Sequence, residues 1–159
     1  MSYPKAVESR PLLDMTTLHQ SNAPMVATTI IDLDAAPFIP ESNWSVIEHR
    51  KGGKFEWDPT KVRLVFNEDR IPGHELHKRL VPLNPFNANM LDFFLKKENH
   101  RLVPEEWKSK NVYFWGTIYG NAWGHCVRFL QWKHYGPCPR FDRLSSDIPT
   151  IHYPAVIPA

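Results

Sequence analysis

Residues 112–133 read VYFWGTIYGNAWGHCVRFLQWK, and this stretch decides the fold class. β-Branched and aromatic residues crowd both of its halves, with a Gly- and Asn-bearing turn between them, so it predicts two antiparallel strands over 112–119 and 125–133. Alternation puts Val112, Phe114 and Ile118 on a core face of the first strand, and Val127 and Phe129 on that of the second. Gly116 leaves a gap in that face, suited to a bulge or a large neighbouring ring. Trp115, Tyr119, Trp123 and Trp132, with Tyr113, are left to line one surface beside Arg128 and Lys133. Such a platform suits stacking on bases or sugars. Packing of the same rings beneath a second layer or the chain ends is the stronger reading, because one domain needs its tryptophans in the core.

Working outward, ATTIIDL (27–33), WSVIEH (44–49) and KVRLVF (61–66) carry strand composition, with Gly52-Gly53 as a turn signal between the last two. Residues 55–57 read as a continuation of a hairpin. GHELHKRL (73–80) is a short helix halted by Pro82. Residues 88–98 are the best helix: Met90, Leu91, Phe94 and Leu95 form one stripe, Asp92, Lys96 and Lys97 face away, and Asn87 is positioned as the N-cap. Pro104 before Glu105-Glu106 suits the first turn of another short helix. The expectation is an α+β fold, with a small, mainly antiparallel sheet against two or three short helices and extended proline-rich ends. Residues 1–25 read as an N-terminal extension with a turn of helix near 16–20, residues 26–135 as the globular domain, and residues 136–159 as a proline-rich C-terminal arm.

Composition bounds the function classes. The chain has 159 residues, 42% hydrophobic and 23% charged, which fits one globular domain. Its 15 prolines, about twice ordinary usage, limit long helices. A net charge of +2 argues against a dedicated nucleic-acid binder; the local groups Arg50, Lys51 and Lys54, Lys61 and Arg63, and Lys108 and Lys110 read as solvated surface charge. Two cysteines make no disulfide framework. Nothing resembles an apolar leader after Met1 or a run of about 18 apolar residues, so a cytoplasmic protein with no membrane association is expected.

The strings NANMLDFFL (87–95), LVPEEWKSK (102–110), VYFWGTIY (112–119) and CVRFLQW (126–132), with IDLDAAPFIPESNWSVIEHRKGG (31–53) upstream, resemble a family of small uncharacterised bacterial proteins with the pattern NANVLDYLL…IPEEWKGK…FFWGTIYR…VRxLYW. The likeness covers about residues 28–133. It implies no activity and transfers no catalytic residue. The chain departs from the pattern at both ends, where about 25 residues precede the likeness and a Cys138-bearing, Pro-rich segment replaces an aromatic, acidic terminus.

Three groups of residues carry candidate chemistry. Asp32 and Asp34, two apart at a strand end, point to one face and are a conceivable Mg²⁺ and phosphate site. The loop after them, Ala35-Ala36-Pro37, lacks the hydroxyl side chain that haloacid dehalogenase-like phosphatases place there, and a solvated strand end is the better reading. His74, Glu75 and His77 fall one residue short of the H-E-x-x-H zinc motif, although histidines at i and i+3 still share a helix face. His125, Cys126, His134 and Cys138 have zinc-binding side chains without a C-x₂₋₄-C knuckle. His74, His77 and Cys126 are therefore weak metal candidates, and no cofactor is expected. The leading expectation is a non-enzymatic binding or interaction module using its aromatic hairpin face (Trp115, Tyr119, Trp123, Arg128, Trp132) or its extended ends, with a protein partner or a second copy as the counterpart. The alternative is a small metal-dependent hydrolase built on Asp32/Asp34 or the histidines.

Overall fold

The computed structural model describes residues 29–66, 70–149 and 153–159. The expected N-terminal extension, its helical turn near 16–20 and the start of the first strand lie outside the described residues. The fold is α+β, with a curled sheet and a few short helices.

Its spine is β8, Gly124–Lys133. Along one edge β8 pairs from Cys126 to Lys133 with the whole of β9, Gly136–Arg143. Along the other it meets two strands placed end to end, β6 (Asn111–Tyr113) and β7 (Thr117–Asn121). The hairpin expected over 112–133 is therefore real but broken. Tyr113 faces Phe129 and Tyr119 faces Cys126, so six residues of one chain segment span only three of the other. The surplus is taken up at 114–116. An odd surplus inverts the side-chain phase, because strand side chains alternate with period two.

That inversion corrects the predicted core face. Val112 and Phe114 join Leu130 in one cluster, while Ile118, Val127 and Phe129 join Tyr113 and Trp115 in another. Both faces of the sheet centre are covered, and this is why alternation alone misassigned them. The first cluster receives Met90, Leu91 and Phe94 from α2 (Ala88–Leu95), together with Trp57 and Trp107. Rings meet edge to face there, Trp57 to Phe94 at 4.9 Å and Phe94 to Trp107 at 5.5 Å. The second cluster receives Leu76 and Leu80 from α1, Gly73–Leu80. Each such buried side chain contributes about 1.5–3 kcal/mol relative to exposure. The helix predicted over 88–98 ends at Leu95, where Lys96 turns to an extended conformation and a 3₁₀ segment, Lys97–Leu102, follows.

The remaining strands extend the sheet. β2 (Ser45–His49) pairs with β7. β11 (Ala155–Pro158) lies between β6, which it meets in parallel, and antiparallel β4 (Val62–Val65). Two small ladders stand apart: β1 (Ile30–Asp32) with β3 (Lys54–Glu56), and β5 (Arg70–Pro72) with β10 (Asp147–Pro149). The described residues of segment 136–159 are thus not an arm outside the domain. Its strands β9 and β11 are integral to the sheet, and Ala155, Val156 and Ile157 are each no more than 1% exposed. Pro137 and Pro139, two apart on β9, share one backbone phase. A strand paired throughout with β8 accommodates them where that phase points away from the ladder, so the outer edge of β9 lacks two donors.

Candidate functional site

The side of the molecule where α2 begins gathers four separate chain segments. Gly116, in the step between β6 and β7, lets residues 84–87 cross directly against the sheet: its N–H donates to Phe86 O (2.9 Å), and a Cβ there would stand 2.6 Å from Pro85 O. Asn87 then caps α2 through its side-chain oxygen, which accepts from Asn89 N–H (3.0 Å). Its amide nitrogen, in a residue only 1% exposed, donates to Leu33 O and to Arg50 O, both at 2.8 Å. Asn89 Nδ2 donates to Asp32 O and Ala35 O. One Asn-Ala-Asn sequence therefore fastens the β1 turn and the end of β2 to the helix start.

His49 completes this network. Its Nε2 faces Ala35 O at 3.1 Å and its Nδ1 faces Thr117 Oγ1 at 2.9 Å. A carbonyl only accepts, so Nε2 carries the proton and Nδ1 accepts from the Thr117 hydroxyl. Thr117 Oγ1 also accepts from Ala88 N–H (2.9 Å). The pair has the composition of a nucleophile and base, but Thr117 is wholly buried and no substrate reaches it. The arrangement is scaffold.

Asp32 and Asp34 are scaffold too. Asp34 Oδ1 accepts from Gly52 N–H (3.1 Å) and Gly53 N–H (2.9 Å), and Asp32 Oδ1 accepts from Asp34 N–H (3.0 Å). The carboxylates tie a turn and anchor the Gly52-Gly53 loop, a structural use in keeping with the preferred reading of the pair as a strand end rather than a Mg²⁺ site. Among the described residues no three His, Cys, Asp or Glu side chains gather to hold a metal. His74 and His125 approach with ring centroids 6.1 Å apart, but His77 turns to Glu48, with Nε2 3.2 Å from Oε2, and stacks on Trp115. Burial lowers the His77 pKa, and Arg50, His74 and His125 add to this against the opposing pull of Glu48. Cys126 is 1% exposed and burial pushes its thiol up to about 11, which removes it as a nucleophile or ready ligand. Cys138 pairs with Gln131, five residues along β8 from Cys126, so the two thiols stand roughly 17 Å apart.

The predicted aromatic platform is not a surface. Trp115 and Tyr119 are fully buried and Arg128 is 4% exposed. Trp115 belongs to the second core cluster, whereas Trp132 packs against the first beneath the Lys108 ammonium, 4.6 Å from its ring centre. Only Trp123 is open, with the Arg143 guanidinium 5.6 Å from its ring. Arg128 instead forms a forked ion pair with Asp92 of α2, Nη1 to Oδ2 at 3.2 Å and Nη2 to Oδ1 at 3.1 Å. Phe38 and Tyr119 lie against the same guanidinium, with ring centres 5.7 and 5.9 Å away.

Two of the open features combine apolar walls with charged side chains. On the β9 side, Phe38, Pro40, Trp44, Pro139 and Phe141 shape a groove of about 330 Å³, which Glu41 and Arg140 also line. Phe38 and Phe141 are 59% and 42% exposed, and Ile39 beside them is 46% exposed. On the opposite side of the β1 turn, Leu33, Phe55, Pro85, Phe86 and Pro158 line a cleft of about 480 Å³, with Arg50 and Lys51 among its walls. Sequence reasoning missed both. Phe38 and Ile39, apolar yet fenced by Pro37 and Pro40, were the available signal for the first; Arg50 and Lys51 beside a Gly-Gly turn were the signal for the second.

No protein-family model, no curated protein and no solved structure matches the chain. No helix among the described residues is long and apolar enough to cross a membrane.

Proposed function

We propose that this protein is a non-enzymatic interaction module that docks through the face formed by residues 38–41 and β9, with a second copy of the chain as its partner. One observation carries the reading: two large apolar side chains, Phe38 and Phe141, stand exposed in one groove on a rigid base, with exposed Ile39 next to Phe38 in the chain. Single exposed hydrophobics are ordinary, but a cluster rimmed by charge marks an interaction surface. The base is held by the Arg128–Asp92 pair and by the edge-to-face contact of Trp44 with Phe141 at 4.9 Å. The two prolines of β9 disfavour partner addition as a further strand, which leaves face-to-face docking.

The choice of a second copy rests on charge. Glu41 and Arg140 line the same groove, both are exposed, and among the described residues neither forms an ion pair. A patch bearing both signs complements itself under a two-fold rotation. The free thiols Cys126 and Cys138 support action in a reducing compartment. Kinship with the bacterial family of the NANVLDYLL pattern is part of the proposal; the residues that carry the likeness, Asn87, Asn89, Gly116 and Thr117, serve the scaffold here.

Sedimentation velocity over a concentration series tests the reading. Self-association is expected for the native chain, its loss for Phe141→Glu, weakening for Arg140→Glu, and recovery when Arg140→Glu is combined with Glu41→Arg. A native chain that stays monomeric throughout, or a Phe141→Glu variant that associates as well as the native chain, overturns it.

A further inference from the structure

The cleft between the β1 turn and residues 84–87 has the construction of a ligand site, separate from the β9 face. Its walls are fixed before anything binds. Asn87 ties Leu33 O to Arg50 O, Asp34 anchors Gly52 and Gly53, and Phe86 N–H donates to Val156 O at 3.1 Å. A volume of about 480 Å³ lies within the range of roughly 300–1,000 Å³ typical of small-molecule pockets. Phe55 and Phe86 meet edge to face at 5.0 Å, and with Leu33, Pro85 and Pro158 they give the cleft an apolar interior. Flat rings are favoured against such rings and prolines.

The polar part of the cleft is one-sided. Arg50 and Lys51 line it and, among the described residues, no side-chain carboxylate does. Arg50 is oriented by Asn84, whose Oδ1 accepts from Nη2 at 3.3 Å. Its one carboxylate neighbour among the described residues, Glu48, stands 3.8 Å from Nη1 and is shared with His77. Lys51 is exposed and, among the described residues, has no carboxylate partner. A guanidinium held in place yet weakly neutralised is suited to a charge-assisted hydrogen bond with an incoming anion.

From the fixed apolar walls and the weakly neutralised cations we infer that this cleft binds a small aromatic anion, a flat ring system bearing one carboxylate, sulfonate or phosphate group. The ring lies against Phe55 and Phe86, and the acid group meets Arg50 and Lys51. The two parts act together: the cations select charge, and the enclosed rings select shape.

The test is a titration of the ¹⁵N-labelled full chain with 2-naphthoate, with the neutral isostere 2-naphthamide and inorganic phosphate as separate arms. Saturable shifts of the amides of 50–55 and 84 are expected with 2-naphthoate, with at least tenfold weaker binding of either other probe. Arg50→Gln is expected to weaken 2-naphthoate about tenfold, the usual scale for a hydrogen bond to a charged group, and exposed Lys51→Gln by a few-fold. Because Arg50 also braces Asn84, Lys51→Gln and a fall in affinity with rising salt test the charge contribution without touching the scaffold. Equal binding of 2-naphthoate and 2-naphthamide, salt-independent affinity, or shifts confined to 38–41 and 136–141 overturns the inference. Phe141→Glu leaves binding at the cleft unchanged, so failure here is separable from failure of the docking face.

Discussion

Removing Asp92 isolates a charge that the fold has taken out of water. Arg128 is 4% exposed, and its only carboxylate partner among the described residues is Asp92, whose side chain is 26% exposed. Deleting one partner of a buried pair costs about 3–5 kcal/mol, because the other charge is left without compensation. Solvent reaches Asp92, so the lower end of that range, about 3 kcal/mol, is expected for Asp92→Ala. For a chain of this length each kcal/mol lowers the melting midpoint by roughly 2–4 °C, which puts the loss near 6–12 °C. Thermal melts followed by circular dichroism, with equilibrium guanidinium unfolding alongside, measure it. The decisive arm is a double-mutant cycle: Arg128→Met with Asp92→Leu is expected to recover much of what either single change loses. If Asp92→Ala moves the midpoint by less than about 2 °C, or if the two single effects add within about 0.5 kcal/mol, the pair is not the buried brace argued above.

Gly116→Ala is expected to cost about 3 kcal/mol or more, the upper end of overpacking effects, since its Cβ would meet backbone atoms of Pro85 and Asn87 within 2.8 Å; a urea midpoint equal to that of the native chain contradicts the close crossing. Acid is expected to destabilise the fold through His77. Burial lowers its pKa in the folded state, so the unfolded chain takes up the proton first; the contribution is complete above about pH 6.5 and is lost as pH falls from there through the folded value. Melts from pH 7.5 to 5 should show a shallower decline in His77→Gln, and an unchanged slope would remove His77 as the cause. A thiol-reactive disulfide reagent at neutral pH is expected to label half-exposed Cys138 quickly and Cys126 only on unfolding. Equal rates for the two would show that the Cys126 site opens freely.

Some of this architecture is open to a reader of the sequence, and the reasons differ by element. The α2 stripe of Met90, Leu91 and Phe94 behind Asn87 is legible because capping and periodicity are local. The strands over 112–133 are legible by composition, but not their phase, because the surplus at 114–116 is set by residues 84–87 passing behind Gly116. β9 and β11 were hidden by prolines. Pro137 and Pro139 fit an outer edge and Pro158 a strand end, positions that sequence alone does not distinguish from an unpaired arm. At the candidate sites, the loop after Asp34 already favoured a strand end over a catalytic pair, but the Gly52 and Gly53 N–H groups that occupy Asp34 come from a distant segment and leave no local signal. Arg50 and Lys51 look like ordinary surface charge until Phe55 and Phe86 close around the space beside them.

The placement of β11 also governs how the chain is made. Val65 of β4 must wait for Ala155, and Tyr113 of β6 for the same residue, before the gap between the two strands is filled. During synthesis β4 and β6 therefore emerge with facing edges unpaired, and the first core cluster lacks Val156 until the ninety residues after β4 have followed. Loop closure over such a separation slows folding and leaves open edges vulnerable to other nascent chains. This fold is completed late, and the four residues of β11 set when.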